Sequence, residues 1–502
     1  MSTGISSSDP ASSTKDMKFR GLVRGSFLSA LSILISMAAL LITGKLFTNA
    51  LDQEQVGIFA LLLVTSDFLI YATGMGFAAS MPRLIAAADS KEHNRIIGSA
   101  LSGQLLMLAL VTLLVFLLKW GPGTPEKLST HSGWLAVHQH LTLLPLLFVT
   151  GCLRDLILAM LAGLNRYGWR AGGIALASLG QVVTVWAFIW LGGGGLRALV
   201  CALAGSYGFA LLLLWAGLGS SGIPRFSLSG YGKSLRFSQP LYFNQLMNFF
   251  HQRFDTVLVS LLAGIASAAI YEMLKRFPLI VNRILNALLV PYLPHISTLI
   301  ARGERESAAA VLNEATALSA FIGYGAALFF AAIQRVLVPL FFNKSYLSDE
   351  FTLFLLLLSA SLALQSGLMA QMLIALGRNR AVPAVNMITM LLCILLNLIF
   401  IPAYGLPGAA GSAAFSAACS FALLALCTHR AGITVSLRMC IQPALLLSAA
   451  ALSLYYGMES VWLRLLAPVL FVLLCLLSGL ISPVRLYAIA RALLPGSGAA
   501  RD

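Results

Sequence analysis

The apolar stretch from Ile270 to Pro294 contains four ionisable residues, Glu272, Lys275, Arg276 and Arg283. A charge at bilayer depth costs about 2.5–3.5 kcal/mol on insertion scales, so each of these must meet water, a counter-charge or a ligand. At helical spacing Glu272, Arg276 and Arg283 fall within about 40° of one another, and Leu279 and Asn286 extend the stripe. A guanidinium presents a planar fork of donors that matches phosphate oxygens, so the chemistry on offer is the holding of an anion. The preceding stretch, PLYFNQLMNFFHQRFDTVLVS, puts Asn244, Asn248, His251 and Asp255 within about 60° of arc, with Gln245 and Gln252 at its edge. Such a wall suits hydroxyls or water. Arg253 points the other way and is expected to pair with a carboxylate on another helix. Four basic residues (253, 275, 276, 283) against two acidic ones (255, 272) tilt this region toward an anionic ligand.

Fewer signals lie elsewhere. Asp67, in TSDFLIYATGMGF, stands alone at mid-span depth. It is read as a counter-ion for an arginine, as a proton or cation site, or as a helix-packing hydrogen bond. Arg24 lies where a cargo would enter from the cytoplasm, or is an ordinary topology-setting charge. The adjacent Arg154 and Asp155 read as a structural pair or a gate element. His131, His138 and His140 have no carboxylate or thiol at ligand spacing, so no metal is expected. The seven cysteines lie in or beside apolar spans without a CxxC pair and read as small core residues.

The elements that must position these residues are membrane helices. The chain is 59% hydrophobic and 10% charged, with a mean hydropathy of +0.88. Soluble domains carry about 25% charged residues, so no water-facing globular domain is expected. About fourteen spans satisfy the length rule: 22–44, 55–78, 96–118, 137–162, 171–192, 196–218, 240–264, 268–296, 316–342, 351–376, 383–403, 407–428, 440–457 and 461–481. With the N-terminus cytoplasmic, 22 of the 33 Lys and Arg residues fall in inside segments and 6 outside, which places both termini inside. The net charge of +15 is thus spread over short loops, and no nucleic-acid partner is expected.

Laying residue n on residue n+212 aligns Ile58 with Ile270, Pro82 with Pro294, Glu92 with Glu304, Leu161 with Leu373 and Arg166 with Arg378. Six spans per unit insert in the same direction, so the expected fold is an all-α polytopic membrane protein. It has fourteen transmembrane helices, in two parallel six-helix lobes around a central cavity plus two C-terminal helices. The expected segments are a cytoplasmic tail (1–21), an N-lobe (22–218), a C-lobe (240–428), accessory helices (440–481) and a second cytoplasmic tail (482–502).

Several motifs carry a family resemblance: LFTNALDQEQVGIFALLL, MGFAASMPRLIAAA, LAGLNRYGWRAG and above all MLIALGRNRAVPAVNMITMLLCILLNLIFIPAYGLPGAAGSAAFS. The chain resembles the Wzx-type oligosaccharide flippases, the polysaccharide-export branch of the MOP superfamily, which also contains MATE-type multidrug exporters and lipid II flippases. Many members have an acidic residue where this chain has Gly74, which leaves Asp67 as the nearer candidate for ion coupling. The resemblance implies movement of an undecaprenyl-diphosphate-linked sugar repeat unit from the inner to the outer leaflet of a bacterial cytoplasmic membrane. It further implies diphosphate contact by Arg283, Arg276, Lys275 and Arg24, and sugar contact by Asn244, Asn248, His251 and Asn286. Asp67, Asp255 and Glu272 are coupling or counter-ion carboxylates. No cofactor is expected beyond H+ or Na+ coupling. The partners implied are the polyprenyl-diphosphate-linked oligosaccharide, the lipid bilayer, and a polysaccharide polymerase with its chain-length regulator. A cation-coupled multidrug antiporter of the same superfamily stays open, although cationic cargoes call for acidic residues at the midplane. A membrane polymerase or ligase would need a larger external segment than 119–136, with paired carboxylates or a nucleophile and base. No enzyme is expected.

Overall fold

The computed structural model describes residues 10–120, 138–191, 195–219, 228–288, 292–378, 380–456 and 461–479, and every regular element among them is helical. The chain divides into two units, Met1–Phe249 and Phe250–Asp502. The first contains α1 (Pro10–Ala50), α2 (Gln53–Gly74), α3 (Phe77–Ala87), α4 (Ser90–Trp120), α5 (Leu144–Gly163), α6 (Tyr167–Trp190), α7 (Leu196–Leu218) and the start of α8 (Leu228–Leu262). The second contains the end of α8, then α9 (Ile265–Leu274), α10 (Arg276–Leu288), α11 (Tyr292–Ala301), α12 (Arg305–Ala332) and α13 (Gln334–Phe341). It continues with α14 (Glu350–Ala375), α15 (Ala381–Tyr404), α16 (Leu406–Arg430), α17 (Leu437–Tyr456) and α18 (Val461–Leu477).

Local chemistry sets several of these limits. The Asp52 carboxylate accepts from the Gln55 N–H at 2.7 Å and starts α2, and Asp349 does the same for α14 through Phe351 N–H at 3.0 Å. α2 stops at Gly74 because Met75 and Gly76 adopt left-handed φ values of +47° and +76°. A Cβ on Gly76 would stand 2.7 Å from the Ser238 carbonyl oxygen and 2.8 Å from the Tyr242 nitrogen, so only glycine lets α8 approach this bend. The expected single helix over 268–296 is instead α9, α10 and α11. Pro278 has no N–H for the Leu274 carbonyl, and its ring crowds that carbonyl, so the helix ends at Leu274 and restarts at Arg276.

The element limits repeat along the chain. Subtracting 212 from the ends of α8 gives 16 and 50, against 10 and 50 for α1. The same shift takes α12 to 93 and 120, against 90 and 120 for α4, and α16 to 194 and 218, against 196 and 218 for α7. Packing repeats as well. One core joins α3, α4, α5 and α7 through Phe77, Met81, Ile97, Leu156, Met160 and Leu214, and the other joins their counterparts α11, α12, α14 and α16 through Ile296, Leu312, Met369, Leu373 and Leu424.

Ten helical segments among the described residues are long and apolar enough to cross a membrane, against the fourteen expected. The shortfall has physical causes in the two segments that carry the polar stripe. α8 is 35 residues long but too polar along its length, and the span after it is broken at Pro278. Within α17 and α18 the described side chains form the shorter apolar helices Ile441–Ala451 and Arg464–Leu477. Leu106, Leu110, Leu113 and Leu117 on α4, and Leu391, Leu395 and Leu398 on α15, are about half exposed at helical spacing, as a lipid-facing surface requires.

Candidate functional site

The charged residues at the start of the second unit are organised by the antiparallel meeting of α8 and α9. Arg253 and Thr256 are one turn apart on α8, and Glu272 near the end of α9 is one turn before Lys275, the residue that caps that helix, so their side chains meet in a ladder. Arg253 Nη1 donates to Glu272 Oε1 at 2.7 Å, and Thr256 Oγ1 donates to Glu272 Oε2 at 3.1 Å. Lys275 Nζ donates to Asp255 Oδ1 and Oδ2 at 2.8 and 3.1 Å and to the Gln252 carbonyl at 2.9 Å. The fully buried Tyr271 donates its hydroxyl to Asp255 Oδ2 at 2.9 Å. Two cations and two carboxylates thus neutralise one another.

The two arginines of α10 are placed differently. Arg276 is buried, with 8% of its surface exposed. Arg283, two turns further on, is half-buried and makes no hydrogen bond or ion pair among the described residues. Leu279, one turn before it, is exposed, so Arg283 lies at the accessible edge of the helix. His251 sits one turn from Asp255, and its Nδ1 is buried without a hydrogen-bond partner. Asn244 and Asn248 on α8, Asn286 on α10 and Arg24 on α1 are carried on helices, but their side chains lie outside the described residues.

In the first unit, Asp67 is half-buried on α2. Arg154 and Asp155 on α5 form the expected pair, with Arg154 Nη2 at 2.8 Å from Asp155 Oδ1 and the guanidinium 4.2 Å from the centre of the Tyr207 ring on α7. No group of three His, Cys, Asp or Glu residues that could hold a metal occurs among the described residues. His131 lies outside them.

Thr256 and Tyr271 are the members of the ladder that charge patterning missed. Their signal was positional: each lies one turn or less from an ionisable residue, on the face the ladder uses.

A buried charge ladder, an arginine beside it without a hydrogen bond or ion pair among the described residues, and a broken membrane helix describe a polar interior. A family described as polysaccharide biosynthesis protein matches residues 22–300, more than half of the chain. The chain belongs to this polysaccharide biosynthesis family. No curated protein matches the sequence. Among solved structures, the lipid II flippase MurJ in an inward closed conformation superposes with a TM-score of 0.67 at 14% identity, covering 93% of this chain and 100% of that one. An inward-facing multidrug resistance MATE family transporter of the MOP superfamily gives 0.63 at 15% identity, over 80% and 99%. A Vibrio cholerae MATE transporter gives 0.57 at 14%, over 82% and 96%. At these identities the structures establish the MATE- and MurJ-like fold of a multi-pass helical membrane protein, and the family model places this member in polysaccharide biosynthesis.

Proposed function

We propose that the protein moves undecaprenyl-diphosphate-linked oligosaccharide repeat units from the inner to the outer leaflet of a bacterial cytoplasmic membrane, by alternating access. The observation that carries this reading is Arg283, a half-buried guanidinium without a counter-ion among the described residues, in a chain of the polysaccharide biosynthesis family. A partnerless arginine on a membrane helix is costly unless a ligand anion meets it. A diphosphate offers the bidentate oxygens that a guanidinium fits. The lipid tail stays in the bilayer while the sugars follow a polar path past His251, Asn244, Asn248 and Asn286. Arg276, Lys275 and Arg24 extend the diphosphate contacts, with Lys275 turning from Asp255 to do so. Asp67 is the carboxylate assigned to coupling. The fourteen spans, the two like-oriented lobes, the cytoplasmic termini and the supply of cargo to a polymerase and chain-length regulator belong to the same proposal. Support for a lipid-linked cargo comes from the fold shared with MurJ, itself described as a lipid II flippase.

The test is translocation of a fluorescent lipid-diphosphate-linked oligosaccharide in proteoliposomes by Arg283→Ala and Arg283→Lys. Loss in the first and partial retention in the second are expected. Full activity in both removes Arg283 from the mechanism.

A further inference from the structure

The charge bias leaves few basic residues at the ends of the spans where α4 and α6 stop and α7 starts. Two of these few, Lys119 and Arg197, come together in the first unit. Lys119, in the last turn of α4, donates its Nζ to the His138 carbonyl at 2.8 Å. The short 3-10 turn that follows, Leu141–Leu143, packs against α4, α5 and α7. Arg197 lies in the first turn of α7, and it and Lys119 are both close enough to His140 for their charges to act on that ring.

Both cations have donors to spare. An ammonium carries three N–H groups, and the His138 carbonyl takes one of them. Arg197 is exposed and makes no hydrogen bond or ion pair among the described residues. The first turn of a helix favours negative charge, so an arginine placed there without a carboxylate carries a cost that a bound anion would offset. Asp52 and Glu54, at the start of α2, pair with neither cation, and Asp52 is engaged as the cap of that helix. Depth comes from the tryptophans. Trp120, beside Lys119, and Trp190, which ends α6, are 73% and 75% exposed, and each stacks on a ring one turn earlier, Phe116 and Trp186. Exposed tryptophans of membrane helices collect at headgroup level, so Lys119 and Arg197 lie at the depth of lipid phosphates. Gly195, Ala198 and Leu199, at the start of α7, also line an apolar surface cleft with Phe47, Leu51 and Phe188.

We propose that this corner of the first unit binds one anionic phospholipid, with its headgroup phosphate on Arg197 and Lys119 and an acyl chain in the cleft beside them. The guanidinium fork fits two phosphate oxygens, and the ammonium adds a point charge. Basic pockets between membrane helices hold lipid head groups in this way. A free inorganic anion would use the two cations but leave the cleft and the headgroup-level tryptophans without a part, so a lipid is the better match. Such a site selects one headgroup, which the bilayer as a solvent does not require. On the orientation proposed above, the lipid belongs to the outer leaflet. The site assumes neither the cargo nor its direction, so its failure would leave the proposed transport reading standing, and the reverse.

The experiment uses the purified full-length protein in detergent at constant ionic strength, titrated with dihexanoyl phosphatidylglycerol, dihexanoyl phosphatidylcholine or inorganic phosphate. Equilibrium binding and the thermal unfolding midpoint are the two readouts. The wild type is expected to bind phosphatidylglycerol saturably, to unfold at higher temperature as it rises, and to bind the other two at least about tenfold more weakly, because one lacks net charge and the other lacks chains. Arg197→Gln is expected to weaken phosphatidylglycerol binding by about tenfold or more, the loss typical of a hydrogen bond to a charged group, with the lipid-free midpoint unchanged. Lys119→Gln is expected to act in the same direction, with its folding checked by the lipid-free midpoint because it also loses the bond to His138. Arg335→Gln, at an exposed arginine of the second unit, is the control and is expected to bind as the wild type does. Absence of saturable phosphatidylglycerol binding by the wild type overturns the proposal. So does equal weakening by Arg197→Gln and Arg335→Gln, which would be a general effect of charge, or binding of inorganic phosphate as tight as that of the lipid.

Discussion

Lys275 and Arg283 stand eight positions apart in the sequence, and their surroundings assign them opposite costs on removal. Lys275 is ringed by the Asp255 carboxylate, the Gln252 carbonyl and Thr256 Oγ1, with the Tyr271 ring 5.4 Å away. Removing one partner of a buried pair leaves an uncompensated charge, at about 3–5 kcal/mol, whereas removing both together restores neutrality. Lys275→Met is therefore expected to lower the thermal unfolding midpoint sharply, and Lys275→Met with Asp255→Asn is expected to recover most of the loss. If the double variant is no more stable than the single one, the ladder is not what holds α8 on α9. Arg283 has no such partner. Arg283→Ala is expected to leave the unfolding midpoint unchanged or to raise it, because a half-buried charge without a partner is a cost in the unliganded protein, and to lose translocation. Measuring both quantities on both variants separates a residue that holds the fold from one that awaits a ligand.

At the scale of elements, two bends position these side chains, and one was far easier to read than the other. Pro278 announces a break by itself, because its missing N–H and its ring act on Leu274 wherever the helix lies. What the sequence could not give was the consequence, that Arg276 turns into the protein while Arg283 stays at the edge. A continuous helix would put them on one stripe, and the ladder to α8 is a tertiary contact with no periodicity of its own. The bend at Gly76 was less legible still, since its cause lies 162 residues away at Ser238. Legible features were those carried by local chemistry: helix identity, the pairing of Arg154 with Asp155, the need of Arg253 for a carboxylate, and an internal repeat whose element limits recur. Hidden ones depend on which helices touch, as with Gln104 and Asp155, which share a cavity 51 positions apart. Gly76→Ala tests the second bend. A left-handed conformation costs a non-glycine residue about 1–2 kcal/mol, and the added carbon must also push back the α8 backbone. A fall in the unfolding midpoint is expected, and an unchanged midpoint would mean that α8 does not rest against this turn.

For the whole molecule, orientation decides whether the proposed transport runs outward, and it rests on where the basic residues lie. Arg464, one of the 6 basic residues that the expected spans leave outside, is fully buried on α18, on the same face as Ala467, Phe471 and Cys475, and Phe471 stacks on Phe321 of α12. A buried arginine is an interior polar group and sets no topology. Arg335, which falls inside the expected span 316–342 and so in neither tally, is exposed beside the break between α12 and α13, at the end of α12 opposite to Arg302 and Arg305. Exchanging these two leaves the external tally at 6 against 22 inside, so the bias survives the correction. Thiol labelling checks it directly in a background with all seven cysteines replaced. Thr130→Cys, in the 119–136 segment, is expected to react with a membrane-impermeant maleimide in intact cells. Ser307→Cys, exposed in the first turn of α12, is expected to react only after the membrane is opened. The reverse pattern would put the basic loops outside, contradict the charge rule for this chain and remove the basis for an inner-to-outer direction. Labelling of both positions from outside would mean that the two units do not insert in the same sense, and that the repeat seen in their element limits is not a repeat of orientation.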